Sequence, residues 1–87
     1  MRTMAYFVYI LWSEKDGSYY IGHTENLEQR LIRHNQSKSQ YTRAKLPWKL
    51  VYHEVFNSKA EAMRREQEIK SKKSRQYIDY LVRTSRA

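Results

Sequence analysis

The sequence predicts one α+β domain in which a three-stranded antiparallel sheet is flanked by helices, in the order ββαβαα. Two tyrosine-bearing apolar segments near the start are separated by an Asp-Gly turn signal, and a third apolar segment follows later. Three other segments begin with an Asn or Ser that can cap a helix. A chain of 87 residues can bury one modest core. We therefore expect a single domain over residues 1–87, with its core at about 5–83.

The three strands are predicted from their apolar patterns. Residues 6–12 carry large side chains on both faces, as a strand that is buried on two sides does. The Asp-Gly pair at 16–17 is typical of a hairpin turn, so residues 18–23 are predicted to form the second strand beside the first. Residues 48–56 follow Pro47 and are rich in Val, Tyr, Trp and Phe, which indicates the third strand.

The first helix is predicted from its capping residues. Asn26 can cap it, with Gln29 in the reciprocal position three residues later. The helix is predicted to end at about Asn35, with Leu27 and Leu31 on its buried stripe.

The second half of the chain is predicted to contribute a loop and two more helices. Residues 36–46 are polar and basic, which indicates a surface loop. Ser58 and Glu61 form a Ser-x-x-Glu capping box for the second helix. Ser74 is predicted to begin the third helix. The apolar stripe of that helix consists of Tyr77, Ile78, Leu81 and Val82.

The charge of the chain indicates a polyanionic partner. Seventeen Lys and Arg against nine Asp and Glu give a net charge of +8. Six basic residues and no acidic residue lie between Glu28 and Glu54, and a second basic block occupies residues 70–75. Nucleic acid is the most common polyanion in a cell. The alternative is a basic surface that serves only solubility.

Several classes of protein are excluded by composition. The chain has no cysteine, so it has no disulfide framework and no thiolate zinc site. No apolar run approaches the roughly 20 residues that a membrane span needs, and no signal-peptide pattern opens the chain. We therefore expect a cytoplasmic protein that does not associate with membranes.

One carboxylate interrupts the apolar stripe of the second helix. Helical periodicity places Ala62, Met63 and Ile69 on the core-facing side, and Glu66 falls in the middle of that side. A carboxylate on a buried side is costly unless it meets a cation or hydrogen-bond donors. Two interpretations stay open: an internal ion pair with Arg30 or another base, and a divalent-metal ligand or general base in a shallow cleft.

Four other residues are candidates for phosphate chemistry. Arg30 and His34 lie four residues apart, so they share one face of the first helix and are predicted to point toward the sheet. An arginine binds phosphate oxygens bidentately, and a histidine can exchange a proton near neutral pH. Tyr9 and Tyr20 lie on strands that the hairpin brings together. Because a phenol has a pKa near 10, a tyrosine base needs help from a metal or a cation.

The ordered combination of these motifs resembles the GIY-YIG endonuclease superfamily, and in particular its small stand-alone bacterial members. The resemblance covers nearly the whole chain. It is carried by Phe7-Val8-Tyr9, Tyr20-Ile21-Gly22-His23-Thr24, Asn26-Leu27-x-x-Arg30-Leu31-x-x-His34, Tyr41-Thr42-Arg43, Leu50-Val51-Tyr52 and Ala62-x-x-x-Glu66-x-x-Ile69-Lys70.

The resemblance implies hydrolysis of DNA phosphodiester bonds with one divalent metal ion, Mg²⁺ or Mn²⁺. By position, Glu66 would hold the metal, and Tyr9 would act as the general base or position it. Tyr20 would orient the scissile phosphate or the attacking water. Arg30 would stabilise the charge that builds in the transition state, and His34 would assist by hydrogen bonding.

The chain departs from the family pattern at two positions. Phe7 replaces the glycine of the first motif, and His23 stands where some members carry lysine. In addition, no counterpart is found of an asparagine that some members place after the helix of the metal-binding glutamate. Relatives that cut defined targets carry a separate DNA-binding domain, and none is expected here. A structure-selective nuclease, with a role in DNA repair or recombination and a possible repair-protein partner, is the expectation.

Basic residues around this constellation are predicted to contact the nucleic acid. DNA is the expected substrate, and RNA stays open. A nucleic-acid-binding module with little or no catalytic activity is the alternative, since phosphate contacts need no catalytic geometry. The predicted contacts are His23, Arg33, Lys38, Arg43, Lys45, Lys70, Lys72 and Lys73.

Overall fold

The computed structural model describes residues 5–36 and 43–85. Within them the chain forms a three-stranded antiparallel sheet, with strand order β2-β1-β3, and three helices. The α+β class and the order ββαβαα are therefore confirmed. The elements are β1 (Tyr6–Ser13), β2 (Tyr19–Thr24), α1 (Leu27–Asn35), β3 (Trp48–Phe56), α2 (Lys59–Ser71) and α3 (Arg75–Thr84).

The central strand β1 is buried on both faces, as its pattern of large residues predicts. Val8 and Ile10 pack into one apolar cluster with residues of α2 and α3. Tyr9 and Leu11 pack into a second cluster with residues of β3 and α1. Because successive strand residues point to opposite faces, the sheet lies between α1 on one side and α2 with α3 on the other.

The hairpin between β1 and β2 forms at the predicted Asp-Gly pair. Gly17 has a φ of 76°, in the left-handed region that favours glycine. Its backbone N–H donates to the Ser13 carbonyl at 2.8 Å, and the Ser13 N–H donates to the Ser18 carbonyl at 2.8 Å. This turn sets the register, which places Tyr9 opposite Gly22.

All three predicted helix caps are present. The Gln29 backbone N–H donates to Asn26 Oδ1 at 3.0 Å. Ser58 and Ser74 accept in the same way from the N–H three residues later, at 3.2 and 3.1 Å. The reciprocal half of the first cap differs from the prediction, because the Asn26 N–H donates to Thr24 Oγ1 at 3.1 Å.

One residue of the predicted α2 stripe is wrongly placed. The buried stripe consists of Ala62, Glu66 and Ile69, whereas Met63 is 46% exposed. Each residue advances about 100° around a helix, so Met63 lies at the side of the stripe that the other three define. The inward position of Glu66, the unusual feature of this helix, is confirmed.

Arg65 fixes the rotation of α2 over the sheet. Its guanidinium donates to the Glu54 carboxylate of β3 at 3.0 Å and to the Tyr77 hydroxyl of α3 at 3.1 Å, and it also pairs with Glu68. These contacts join β3, α2 and α3 through the residue that precedes Glu66. The helix therefore presents Glu66 inward while Arg65 bonds to its neighbours.

Two other predictions concern the loop after α1 and the absence of a membrane-spanning segment. Of the predicted loop 36–46, residues 37–42 lie outside the described residues, and so does Lys38. In the part of the chain that the structure describes, none of the helices combines the length and the apolar character needed to cross a bilayer.

Candidate active site

Tyr9 lies at the bottom of the site, on the α1 side of the sheet. It is 2% exposed. A hydrogen bond of 3.2 Å joins its hydroxyl oxygen to Nε2 of His34, which projects from α1 and is 8% exposed. The predicted approach of His34 to the sheet is therefore observed, and the first strand and the first helix meet at this hydrogen bond.

Gly22 makes room for the Tyr9 hydroxyl. The two residues are directly opposite each other in the β1–β2 register. A Cβ atom at position 22 would lie 2.6 Å from the Tyr9 hydroxyl oxygen and 2.8 Å from Cζ, which is closer than nonbonded atoms approach. A glycine within a strand often marks such a close approach, and here it is needed because the phenol crosses the neighbouring strand.

Replacement of Gly22 by Ala is expected to destabilise the protein by about 1–3 kcal/mol, which is the usual cost of overpacking a core. The buried phenol has little space in which to move, so the added methyl group must displace Tyr9 or β2. Urea unfolding would measure the loss. Because Tyr9→Leu removes the aromatic ring, Gly22→Ala in that background should cost clearly less. An equal cost in both backgrounds would contradict the proposed contact.

Aromatic rings surround His34 and fix its orientation. The Tyr20 ring lies 4.5 Å from the imidazole, centroid to centroid, and 6.3 Å from the Tyr9 ring. Trp48 packs against both Tyr20 and His34, at 6.1 and 6.3 Å. The Asn35 side chain also binds the Trp48 backbone, accepting from its N–H at 2.7 Å and donating to its carbonyl at 3.1 Å. The end of α1 is thereby attached to β3, which holds His34 over Tyr9.

The electrostatic environment keeps both Tyr9 and His34 neutral near neutral pH. Burial and then the Tyr20 phenol raise the pKa of Tyr9 well above its ordinary value, although Arg30 acts to lower it. Burial and the nearby Arg30 lower the pKa of His34 below its usual value. Arg30 interacts with both residues, so the predicted grouping of Tyr9, Tyr20, Arg30 and His34 on one face is observed.

Glu66 approaches from the other face of the sheet, where α2 packs. It is 9% exposed and is the one buried carboxylate among residues 5–36 and 43–85. His23 Nδ1 lies 2.5 Å from its Oε1, and Lys70 Nζ donates to its Oε2 at 2.6 Å. Burial acts to raise the pKa of Glu66, but hydrogen bonds from Lys70 and His23 outweigh it, and the pKa lies below its usual value. The predicted internal ion pair therefore exists, with Lys70 rather than Arg30.

The two parts of the site meet at β2. Gly22 faces Tyr9 on the α1 side, and the next residue, His23, lies beside Val8 on the α2 side and contacts Glu66. The charge of Glu66 contributes to the raised pKa of Tyr9, after burial and Tyr20. The carboxylate and the phenol are thus electrostatically coupled around the strand that carries Gly22 and His23.

The chemistry of Glu66 is compatible with a single hydrated Mg²⁺ ion. Within the described ranges, no group of three or more His, Asp or Glu side chains could enclose a metal. Mg²⁺ prefers oxygen ligands and often keeps several waters while bound by one or two carboxylates. Glu66 offers one ionised carboxylate. Lys70 occupies one of its oxygens, but the side chain of Lys70 is 45% exposed and can move into solvent.

A groove of about 280 Å³ opens beside both parts of the site. Two of its lining residues belong to the constellation already described: Arg30 near Tyr9, and His23 on Glu66. Its other lining residues are Tyr6, Thr24, Glu25, Asn26, Gln29, Arg33 and Lys59. Lys59 was not predicted, because its position at the start of α2 gives no sign that it lines the same groove as residues of α1.

A family model described as the GIY-YIG catalytic domain matches residues 5–78, which is most of the chain. This chain belongs to the GIY-YIG family. A UPF0213 protein of Bacillus licheniformis is 45% identical over 83 residues, covering 91% of this chain and 84% of that protein. A UPF0213 protein of Staphylococcus haemolyticus is 51% identical over 67 residues, covering 76% of this chain and 80% of that protein.

The fold of a related protein has also been solved. The solution NMR structure of a UPF0213 protein from Bacillus halodurans is 41% identical to this chain, with a TM-score of 0.58. The match covers 93% of this chain and 85% of that one. These similarities confirm the predicted resemblance to small bacterial members of the GIY-YIG nuclease superfamily.

The GIY-YIG motifs of this chain lie on β1 and β2, one beside the other. Phe7, which replaces the first glycine of the family pattern, packs edge-on against His53 of β3, with 6.0 Å between the ring centroids. Phe7 lies on the same face of β1 as Tyr9, two residues away, so the change adds an aromatic ring to that face and packs it against β3. His23, at the position where some members carry lysine, contacts the carboxylate of Glu66.

The other residues predicted to contact nucleic acid are spread over several parts of the protein surface. Lys45 pairs with Asp16 at 2.6 Å and donates to Ser18 Oγ at 3.0 Å, so it is partly engaged within the fold. Lys72 lies 5.5 Å from the centroid of the Tyr77 ring. Arg43 and Lys73 are exposed. Lys70 pairs with Glu66, as described above, and Arg33 lines the groove.

Proposed function

We propose that this GIY-YIG protein is an endonuclease that hydrolyses DNA phosphodiester bonds with the help of one divalent metal ion, Mg²⁺ or Mn²⁺. The observation that carries the proposal is the placement of five groups with phosphate chemistry on the two sides of β2. Tyr9, with His34 and Arg30, lies on one side of that strand, and Glu66 with His23 lies on the other. Electrostatic stabilisation and proton transfer could therefore act on one phosphate in this region.

Tyr9 and His34 provide a path for the proton of the attacking water. At neutral pH the Tyr9 hydroxyl keeps its proton, because burial and Tyr20 raise its pKa. His34 is neutral, because burial lowers its pKa. In the tautomer that carries its proton on Nδ1, Nε2 accepts a hydrogen bond from the Tyr9 hydroxyl across 3.2 Å. Tyr9 can then accept a proton from water while passing its own to His34, so no free phenolate is needed.

Arg30 and Tyr20 are assigned to the phosphate itself. Arg30 is half-buried and lines the groove, so its guanidinium can reach a ligand there while it remains near Tyr9. A fixed cation at the developing charge of a phosphoryl transition state contributes several kcal/mol in comparable sites. The Tyr20 ring packs against His34 and leaves its hydroxyl to orient the phosphate or the water.

Glu66 is the proposed metal ligand. A divalent ion held there would supply positive charge that polarises a phosphate oxygen and favours ionisation of a bound water. Lys70 must first release Oε2 of Glu66, and its ammonium is then available to the DNA backbone. His23 contacts Oε1 and also lines the groove, so it links the carboxylate to the groove wall.

DNA binding is assigned to the basic surface. The net charge of +8 favours a polyanion, and the exposed cations at 72 and 73 lie close in sequence to Lys70. Such backbone contacts carry no information about base sequence, so we expect the protein to select its substrate by DNA structure. A repair or recombination nuclease, or a partner of a repair protein, would require that kind of selection. A cytoplasmic location is compatible with this proposal.

The proposal is tested by incubating the protein with supercoiled, nicked and branched DNA, and with RNA of the same sequence, with Mg²⁺ or with EDTA. Cleavage that requires Mg²⁺ and is faster on at least one DNA substrate than on RNA is the expected result. Cleavage of none of these substrates with Mg²⁺ or Mn²⁺ would contradict it.

A second candidate function is nucleic-acid binding without efficient cleavage. The observation that favours it is the engagement of both Glu66 oxygens, by His23 and by Lys70, as in an ordinary structural ion pair. This alternative expects salt-sensitive DNA binding and no cleavage with either metal. The same incubation therefore separates the two functions, provided that binding is measured in parallel.

A further inference from the structure

Two cations on the wall of the groove have no charged partner among the residues that the structure describes. Arg33, near the end of α1, and Lys59, at the start of α2, both line the groove and are both exposed. Within residues 5–36 and 43–85, neither forms an ion pair or a side-chain hydrogen bond. By contrast, Lys45, Arg65 and Lys70 each pair with a carboxylate. The groove therefore brings together two uncompensated positive charges from different helices.

The remaining polar wall of the groove also favours an anionic ligand. Arg30 adds a third permanent cation, and Gln29 adds an amide that can donate hydrogen bonds. Among the described residues of this wall, Glu25 carries the only carboxylate. The volume of about 280 Å³ is just below the range of about 300–1,000 Å³ that is usual for ligand sites, and it is sufficient for a phosphate with part of its sugar.

We propose that Arg33 and Lys59 bind a backbone phosphate next to the one that is cut, and that the groove holds the cleaved strand in position. The inference rests on the proposed function, since the groove shares Arg30 and His23 with the candidate active site. A strand whose scissile phosphate lies at Arg30 extends into the same groove toward Arg33 and Lys59. Lys59 thus binds the substrate backbone and holds the strand in place. Its site is distinct from the one formed by Lys72 and Lys73, which follow α2.

This subsite is tested by DNA binding in EDTA, where cleavage does not occur. The variant is Arg33→Gln/Lys59→Gln, and the control is Lys15→Gln/Lys49→Gln. The control removes the same charge from two exposed lysines, one in the hairpin turn and one at the Trp12 end of the sheet. Neither lines the groove. Fluorescence anisotropy of a labelled 12-nucleotide strand would be recorded over a range of NaCl concentrations.

The groove variant is expected to bind the strand at least about tenfold more weakly. The slope of log K against log salt should fall by about 0.7, since the two cations bind one phosphate and each lost phosphate contact removes about 0.7 on a single strand. The control should keep a slope close to that of the wild type. A strand of abasic sites should compete with the labelled strand as well as normal DNA does, whereas inorganic phosphate or a free mononucleotide should compete poorly. Equal losses in variant and control, or no loss in either, would overturn the subsite.

Failure of the subsite and failure of the proposed nuclease are distinguishable. If the wild type cleaves DNA but the groove variant binds and cleaves normally, the subsite is wrong and the nuclease remains. If the subsite is correct and the wild type is a nuclease, the groove variant should show a KM raised at least about tenfold with kcat changed less than about threefold, because binding of a neighbouring phosphate that does not react is shared by ground state and transition state.

Discussion

Replacement of Glu66 by Gln is expected to reduce metal-dependent DNA cleavage by at least about a thousandfold, equivalent to about 4 kcal/mol of transition-state stabilisation. Glutamine keeps the size of the side chain and one oxygen that can accept from Lys70 or His23, so the packing of α2 should persist. It removes the negative charge that a hard cation requires. Cleavage of plasmid DNA in Mg²⁺, followed over a range of metal concentrations, gives the measurement.

The matched control is Glu61→Gln, which makes the same change on the same helix. Glu61 is exposed, and its structural contribution to the Ser58 cap comes through its backbone N–H, which the substitution keeps. Its activity should remain within about twofold of the wild type, as for most surface substitutions. Binding of Mn²⁺, measured by electron paramagnetic resonance, should weaken in Glu66→Gln and not in the control.

Full activity in Glu66→Gln would contradict the proposed metal ligand. Loss of activity together with unchanged Mn²⁺ binding would assign Glu66 to its structural ion pair. Circular dichroism and urea unfolding of both variants show whether any loss of cleavage arises from unfolding. This matters because Glu66 bonds to both His23 and Lys70, so the free energy of unfolding must be compared before activity is interpreted.

The fold could be predicted largely from local patterns. Turn and capping residues such as Gly17 and Ser58 mark the ends of strands and helices. Their effect reaches only a few residues along the chain, so it can be predicted from the local sequence. The prediction of which residues form the buried stripe of α2 was less accurate. Met63 is apolar but 46% exposed, because the stripe is set by how Arg65 binds β3 and α3, which no local pattern contains.

The sequence was sufficient to name most residues of the candidate site, but not all the contacts that they make. Periodicity alone placed Glu66 inward, yet it left the partner of that carboxylate open. The partner depends on the register of β2, which puts His23 beside Val8 on the α2 side, and on the reach of Lys70 one turn along the helix. Lys59 was missed for the same reason: it shares a groove with Arg33 only because the fold brings α1 and the start of α2 to the same opening.

Replacement of Tyr9 by Phe is expected to lower the rate of cleavage by roughly 10²- to 10⁴-fold, the usual contribution of one acid–base group, with DNA affinity in EDTA unchanged. The change removes one hydroxyl from a buried ring and with it the hydrogen bond to His34. Loss of that bond should cost about 1 kcal/mol of stability. Single-turnover cleavage of a labelled DNA substrate and anisotropy on the same DNA give the two quantities.

The control for this experiment is Tyr19→Phe, which removes a hydroxyl that donates to Asp79 at 2.6 Å on the other side of the sheet. It makes the same chemical change and loses one hydrogen bond, but it lies outside the proposed proton path. Its stability should also fall while its cleavage rate stays within about twofold of the wild type, as for a substitution away from the chemistry. An active Tyr9→Phe variant would show that the path through His34 carries no proton. A Tyr9→Phe variant that loses DNA binding and cleavage to the same extent would mean that Tyr9 contributes to binding rather than to the chemical step.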